Sequence, residues 1–461
     1  MSEIEVFDQL NRVDLPARTP VLFDTACVLG GSVAGLLAAR VLADHSRRAL
    51  IIERDQVNVE GRPRAGIPQD RQGHVLLPGG LAQIERWLPG VTREAQDLGG
   101  VLVGRDQQQV YLDGHAQVRS GDVRILLGSR PFLESRIRSR VLALDNVSAL
   151  SAQATGLDFR DGAVSAVRYV TDGAEHEVSV DFVVDAMGRA SKLSDWVEQA
   201  GYDRPPMQRV PTGISYATAH FERSEQPDEL DLSCALAQFS PGSAPGGVAV
   251  GAVHAIEHDQ WLVFLMTYGD ERAARSIEDF RSLCAKLPPI FAHAAGGTVT
   301  RQLLTYRQAD SRRRDFVGLS HFPARLVSVG DAVASFNPVY GQGISSAALH
   351  ASCLSAYLVG EPSFDKPASE FFALQEMVVD AAWTMSAGSD AARWDALEGR
   401  EVPEEIQRQR AAMDELMRAT LVDGTVAQAF NRVVFMLAHP YTLGDPDLLD
   451  RAAAANRREP Q

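Results

Sequence analysis

The sequence predicts a mixed α/β (α+β) fold: a dinucleotide-binding unit on a parallel sheet, an antiparallel sheet inserted into it, and a helical C-terminal region. Three observations predict it. A strand, a glycine turn, a helix and a second strand follow one another between Thr25 and Glu53. Short alternating runs broken by Asp-Gly, Gly and Pro turns fill much of 148–270. A strand–turn–helix pattern then returns at 326–346.

Thr25–Gly30 is apolar enough to be a buried strand, and it turns at Gly30-Gly-Ser-Val-Ala-Gly35 into a helix over 36–43. Ala49–Glu53 is a second apolar strand that ends in an acid. Residues 61–73, rich in Gly, Pro and Arg, read as a loop, whereas 76–87 and 131–144 carry helix-compatible apolar spacing. Asp161-Gly162 and Asp172-Gly173 punctuate a three-stranded meander, after which Asp181–Asp185 rejoins the main sheet. The 210–270 stretch is strand-rich, with Gln260–Tyr268 its clearest strand. From 367 to about 451 the chain is helical and polar-faced. These elements group as a discontinuous nucleotide-binding domain (1–105, 130–205 and 300–365), a sheet domain (106–129 and 206–299) and a helical region (366–461).

The two glycine turns carry the chemistry. Gly30-x-Ser32-x-x-Gly35 matches a dinucleotide fingerprint with serine at its middle position. Glu53 follows Gly35 by about 18 residues, the place of the acid that binds adenosine ribose hydroxyls. In the second turn, Gly330-Asp331 ends a short strand, where the carboxylate can accept from sugar-like hydroxyls. Gly341-Gln342-Gly343 then opens a small-residue helix, so backbone N–H groups and the positive helix end face the same place. That combination suits a polyol chain joined to an electron-rich ring, and flavin is such a ligand.

With these marks in order (Gly30–Gly35 and Glu53, then 185–191, then Gly330-Asp331 and Pro338), the chain resembles the FAD-dependent monooxygenases of the p-hydroxybenzoate hydroxylase type. In wording it is similar to bacterial FAD-dependent epoxidases that act on polyenes in polyether pathways. The segments that carry this likeness are 66–77, Asp185–Ser191 leading to Trp196, Asn337–Gly343, and Val379–Trp383 with Gly388–Asp390. It spans roughly 25–450 and implies a Rossmann-like FAD-binding domain with an inserted substrate sheet. It further implies that Gly30, Ser32 and Gly35 surround the pyrophosphate and that Glu53, with Arg54 beside it, meets the ribose. Arg71 and Arg130 would reach the phosphate and ribityl portions, and Asp331 the ribityl hydroxyls. Pro338, Gly341, Gln342, Gly343 and Ile344 would line the ring. Two positions depart from the hydroxylase pattern: serine stands at 32, and Met187 precedes Gly188 while the acid sits earlier, at Asp185.

The resemblance implies that flavin carries the chemistry, so no side chain is assigned a catalytic role. O2 and an apolar unsaturated natural product would be the substrates. NAD(P)H would act as a transient donor or through a partner flavin reductase, and an acyl-carrier protein is a further candidate partner. Substrate-wall candidates are Tyr216, Phe239, Phe264, Met266 and Tyr340. Phe264, Met266 and Tyr268 alternate on one face, and covering the sheet's core is the competing reading. Arg312-Arg-Arg314 reads as a solvated basic face, with docking of an acidic carrier as its alternative.

Composition narrows the classes. A net charge of −15 over 461 residues argues against nucleic acid and anionic membrane surfaces. Four widely spaced cysteines frame neither a disulfide scaffold nor a metal site, and no stretch has signal-peptide or membrane-span character, so a cytoplasmic protein is expected. A flavin halogenase is the first rival, but its W-x-W-x-I-P motif is missing, since no two of the five Trp residues stand two apart. A flavin-dependent reductase and a non-catalytic flavin-binding protein are the others.

Overall fold

The computed structural model describes residues 1–56, 75–224, 230–269 and 273–457. Five parallel strands form the first sheet, in the order Leu326–Ser328, Phe182–Asp185, Phe23–Leu29, Ser46–Glu53, Val147–Ser151. The inner strands carry buried apolar runs toward their carboxyl ends, Ala26–Leu29, Ala49–Ile52 and Phe182–Val184, as a sheet covered on both faces requires. The helices Val33–His45 and Gln342–Val359 pack together over it. The meander stands apart as a three-stranded sheet, Gln153–Arg160, Ala163–Thr171 and Ala174–Ser179.

The carboxyl ends of three central strands meet through glycines. A Cβ on Gly35 would fall 1.9 Å from the Gly30 carbonyl oxygen, and one on Gly30 would fall 2.4 Å from that of Ala186. Gly330, at φ +62°, sits where a Cβ would be 2.6 Å from the methyl of Ala34. Only hydrogen in place of a side chain allows these backbones to close. The two turns, about 300 residues apart in sequence, thereby become one surface.

An eight-stranded sheet forms the second layer, with the long strands Met207–Glu222 and Val299–Arg314 paired antiparallel near one edge. Residues 300–314, expected with the nucleotide-binding domain, thus belong to this sheet by hydrogen bonding. Ile125–Leu127, expected in the sheet domain, pairs instead with Val75–Leu76 and Val101–Val103 in a small separate sheet. Alternation along Met207–Glu222 decides which face is which. Ala217, Ala219 and Phe221 enter a core under the helices Ile277–Cys284 and Pro289–Gly296, while Ile214 and Tyr216 face a second cluster with Phe264 and Met266.

The 30-residue helix Ser369–Glu398 ties the layers together. Gln375 donates to the Ser328 carbonyl of the parallel sheet (2.8 Å), and Trp394 donates to the Thr212 carbonyl of the other sheet (3.2 Å). The arginine run at 312–314 serves the same union rather than a solvated face. Arg312 pairs with Asp310, Arg313 pairs with Asp380 and lies over the Trp383 ring, and the buried Arg314 donates to the Ala332 carbonyl.

The glycine contacts make a stability prediction. Gly35→Ala should lower unfolding free energy by about 2 kcal/mol or more through overpacking. At Gly343, where nothing lies within 4 Å of an added Cβ, alanine should change it by less than about 1 kcal/mol. Urea denaturation of the ligand-free protein checks the pair, and equal losses would contradict the packing argument.

Candidate functional site

One continuous cavity of about 2500 Å³ lies between the two layers. A single drug-sized ligand occupies roughly 300–1,000 Å³, so this volume accommodates two molecules side by side. Gly30, Ser32, Glu53 and Arg54 line it from the first two strands, and Arg130 lines it from a helix start. Asp331, Pro338, Gly341, Gly343 and Ile344 line it from the later turn, so ten of the thirteen residues expected at the cofactor share one wall system. Gly35 lies inside the helix against Gly30, off the wall. Gln342 is also off it, buried with its amide donating to the Val434 carbonyl (3.2 Å). Arg71 lies outside the described residues.

The donors and acceptors suit a dinucleotide. Neither Ser32 at the start of Val33–His45 nor Gly341 at the start of Gln342–Val359 caps its helix with a side chain. Two helix N-termini therefore present N–H groups and positive dipole ends at the cavity. Glu53, 8% exposed, accepts from Gly31 N (2.7 Å) and Asp55 N (3.0 Å), which fixes its carboxylate at the rim of the first turn. Asp331 makes no hydrogen bond with a described residue, and its carboxylate opens on the cavity as an acceptor for hydroxyls. Burial raises its pKa, opposed by the positive charges of Arg130 and Arg189.

Behind these residues stand Arg138 and His350, which the sequence did not single out, and Asp185, which it did. Arg138 donates to the Gly31 carbonyl (2.7 Å) and to Glu134 (2.6 Å), bracing the first turn from within. The Nδ1 of His350 accepts from Gly330 N (2.9 Å), and burial pushes its pKa down to about 3, so the ring stays a neutral acceptor. Asp185 is off the cavity wall. It accepts from Met187 N, the Ser191 hydroxyl and the Ser328 hydroxyl, joining two strand ends to the 188–191 turn.

Of the substrate-wall candidates, Tyr216, Phe239, Phe264 and Tyr340 line the cavity. Met266 does not; it is fully buried within the cluster around Phe264. Tyr268, weighed as core cover, does reach the wall. Its hydroxyl donates to Asp390 (3.0 Å), and the Arg393 guanidinium lies 4.2 Å from its ring centroid. Asn337 donates to the same Asp390 oxygen (2.8 Å), while its own carbonyl accepts from Tyr216 OH (3.2 Å) and Val339 N (3.1 Å). One chain of polar contacts thus runs from the long helix to the 337–341 turn and the sheet wall. A lone acid within Met385-Ser-Ala-Gly-Ser-Asp-Ala-Ala392 was the sequence signal for it. Among the described residues no His, Cys, Asp and Glu cluster could hold a metal ion, and the four cysteines are buried and unpaired.

Asp390 gives a pH test. Its second carboxylate oxygen is buried without a partner, and burial raises the pKa to about 6, against the pull of Asn337 and Tyr268. The folded state therefore holds a proton that the unfolded chain releases near pH 4. The resulting stabilisation is full below about pH 4 and is lost as pH rises through 6. Asp390→Asn keeps both accepted hydrogen bonds without the charge, so its stability relative to wild type should climb by about 2 kcal/mol between pH 4 and 7. Chemical denaturation across that range checks it, and a pH-independent difference would contradict it.

Comparison with known proteins agrees with this geometry. The family model described as "FAD binding domain" matches residues 24–360. Protein Rv3254 of Mycobacterium tuberculosis is 30% identical over 455 residues, covering 94% of each chain. Among solved structures, the flavin-dependent brominase Bmp2 superposes with a TM-score of 0.63 at 14% identity, over 95% of this chain and 100% of that one. The p-nitrophenol 4-monooxygenase PnpA of Pseudomonas putida DLL-E4 gives 0.60 at 15% identity, over 90% and 99%. These distant structures share the fold, and the family model reaches further: matching most of the chain, it shows that the protein belongs to the family described as "FAD binding domain".

Proposed function

We propose that this flavoprotein is a monooxygenase that uses O2 to epoxidise or hydroxylate an apolar, unsaturated small molecule of polyketide- or isoprenoid-like character. The observation that carries the reading is the shared cavity. One side has the chemistry of an FAD cradle, the other is an aromatic and aliphatic wall, and the volume suffices for both occupants. Bound FAD would supply activation of O2 for transfer of one oxygen atom.

This chain's residues would bind, orient and shield. Helix N-terminal N–H groups at 33–34 would hold the pyrophosphate, Glu53 the ribose and Asp331 the ribityl hydroxyls. Gly343 and Ile344, at the start of the second helix, would offset negative charge on the reduced ring. Tyr216, Phe264 and Tyr340 would hold an olefin or ring against the flavin and exclude water. The Asp390–Asn337 contact would keep the 337–340 turn from shifting under them. NAD(P)H, directly or through a partner reductase, is the proposed electron source, and a carrier-bound form of the substrate remains compatible with the cavity's size. The brominase relative has the halogenase fold, yet the tryptophan motif expected of halogenases has no counterpart here.

Two outcomes follow. Asp331→Ala should raise the Kd for FAD about 10- to 100-fold, as loss of charge-assisted hydrogen bonds does. The unliganded protein's stability should not fall, because that carboxylate bonds no described residue. Calorimetric titration with FAD reads both, and unchanged affinity would count against the cradle. Mixing reduced, FAD-loaded protein with O2 should give reoxidation in two phases, through a species spectrally distinct from oxidised and reduced flavin. A single phase with stoichiometric hydrogen peroxide would overturn the monooxygenase reading.

A further inference from the structure

One cation of the cavity wall, Arg105, stands outside the residues assigned to the FAD cradle. Arg105 is 7% exposed and lines the cavity just before the strand Gln108–Leu112. Its Nη2 reaches only the side-chain oxygen of Gln117 (3.5 Å) and the Val118 carbonyl (3.4 Å), both long contacts. Its Nε is buried with no hydrogen-bond partner. Among the described residues no carboxylate pairs with it, and the charge nearest in effect is another cation, Arg119. Burial pushes its pKa down, but a guanidinium remains ionised in a protein.

The surroundings make that charge conspicuous. Leu77, Val103, Ile125, Cys234 and Phe435 form one apolar cluster, of which Leu77, Ile125, Cys234 and Phe435 line the cavity with Arg105. Gln117 is held in place, its side chain accepting from Asn431 (3.3 Å) and its carbonyl from Gln109 (2.9 Å). The result is a braced cation where a polar stretch of the wall (Gln108, Gln109, Gln117) meets that apolar cluster. Leu77 links it to the ring-facing turn, since its methyl groups lie 3.5–3.7 Å from where a Gly341 Cβ would be. A buried ion without a counter-charge is unfavourable, and a carboxylate on the occupant supplies both the charge and the fork-shaped pair of acceptors that a guanidinium matches.

We propose that Arg105 anchors the carboxylate head of an otherwise apolar substrate, so that the substrate class is an unsaturated carboxylic acid whose tail lies toward Tyr216 and Phe264. The word substrate rests on the monooxygenase reading; the anion site does not. Calorimetry on the FAD-loaded protein with 10-undecenoate and with 10-undecen-1-ol separates the two, because it needs no turnover. The acid should bind at least about tenfold more tightly than the alcohol in the wild type, as expected of a charged hydrogen-bonded pair. Arg105→Met should erase that preference, and Arg105→Lys should keep part of it. The comparison of acid and alcohol on unaltered protein stands even if a variant folds poorly. Equal affinities in the wild type, a preference that survives Arg105→Met, or binding of neither probe would overturn the proposal. Acid-selective binding without oxygen insertion would leave the anchor in place and remove only the monooxygenase reading.

Discussion

The close approach of three backbone turns at the carboxyl ends of the parallel strands is the constraint on which this molecule depends. Gly30 against Ala186, Gly35 against Gly30, and Gly330 against Ala34 are contacts in which a Cβ would overlap its neighbour. They bring a helix from the start of the chain and a helix from beyond residue 340 to the same edge of one sheet, each with its N-terminus uncapped by a side chain. The intervening residues are free to build a second sheet because the two turns are joined by packing, not by chain proximity. A dinucleotide site at the end of an open parallel sheet is the expected consequence.

The second layer converts that site into a cavity with two chemical sides. Strand alternation places Tyr216 and Phe264 on the inner face and Ala217, Ala219 and Phe221 on the outer one. The long helix Ser369–Glu398 then bonds to both sheets, and its Asp390 reaches Asn337 before the 338–341 turn and Tyr268 on the wall. Packing, polar contacts and cofactor cradle are therefore coupled through a few residues. On the proposed reading, the first layer holds the cofactor and the wall selects the second occupant.

Much of this was legible in the sequence, and the parts that were not share a physical reason. The glycine turns, Glu53 and Asp331 stand at fixed offsets from apolar strands, so local pattern suffices to find them. The meander was equally plain from its two Asp-Gly turns. Membership of Val299–Arg314 in the second sheet was not, since a strand's partner is decided by tertiary pairing and its own pattern is the same in either sheet. For the same reason Met266 and Phe264, two apart on one face, could not be told apart: one seals the core and the other lines the cavity. His350, Arg138, Asp390 and Arg105 act through contacts with residues distant in sequence. A run of three arginines looks solvated in one dimension; Asp310 is a sequence neighbour, but only the fold supplies Asp380 and the Ala332 carbonyl as further partners.

On the proposed reading, FAD occupies one side of the cavity and leaves the aromatic wall open for a second molecule. A crystal structure of the FAD-loaded protein tests it most directly. The pyrophosphate is expected at the N-terminus of Val33–His45, the ring against 338–343, and an unfilled volume bounded by Tyr216, Phe264 and Tyr340. A flavin ring stacked across Tyr216 and Phe264, filling that volume, would contradict it.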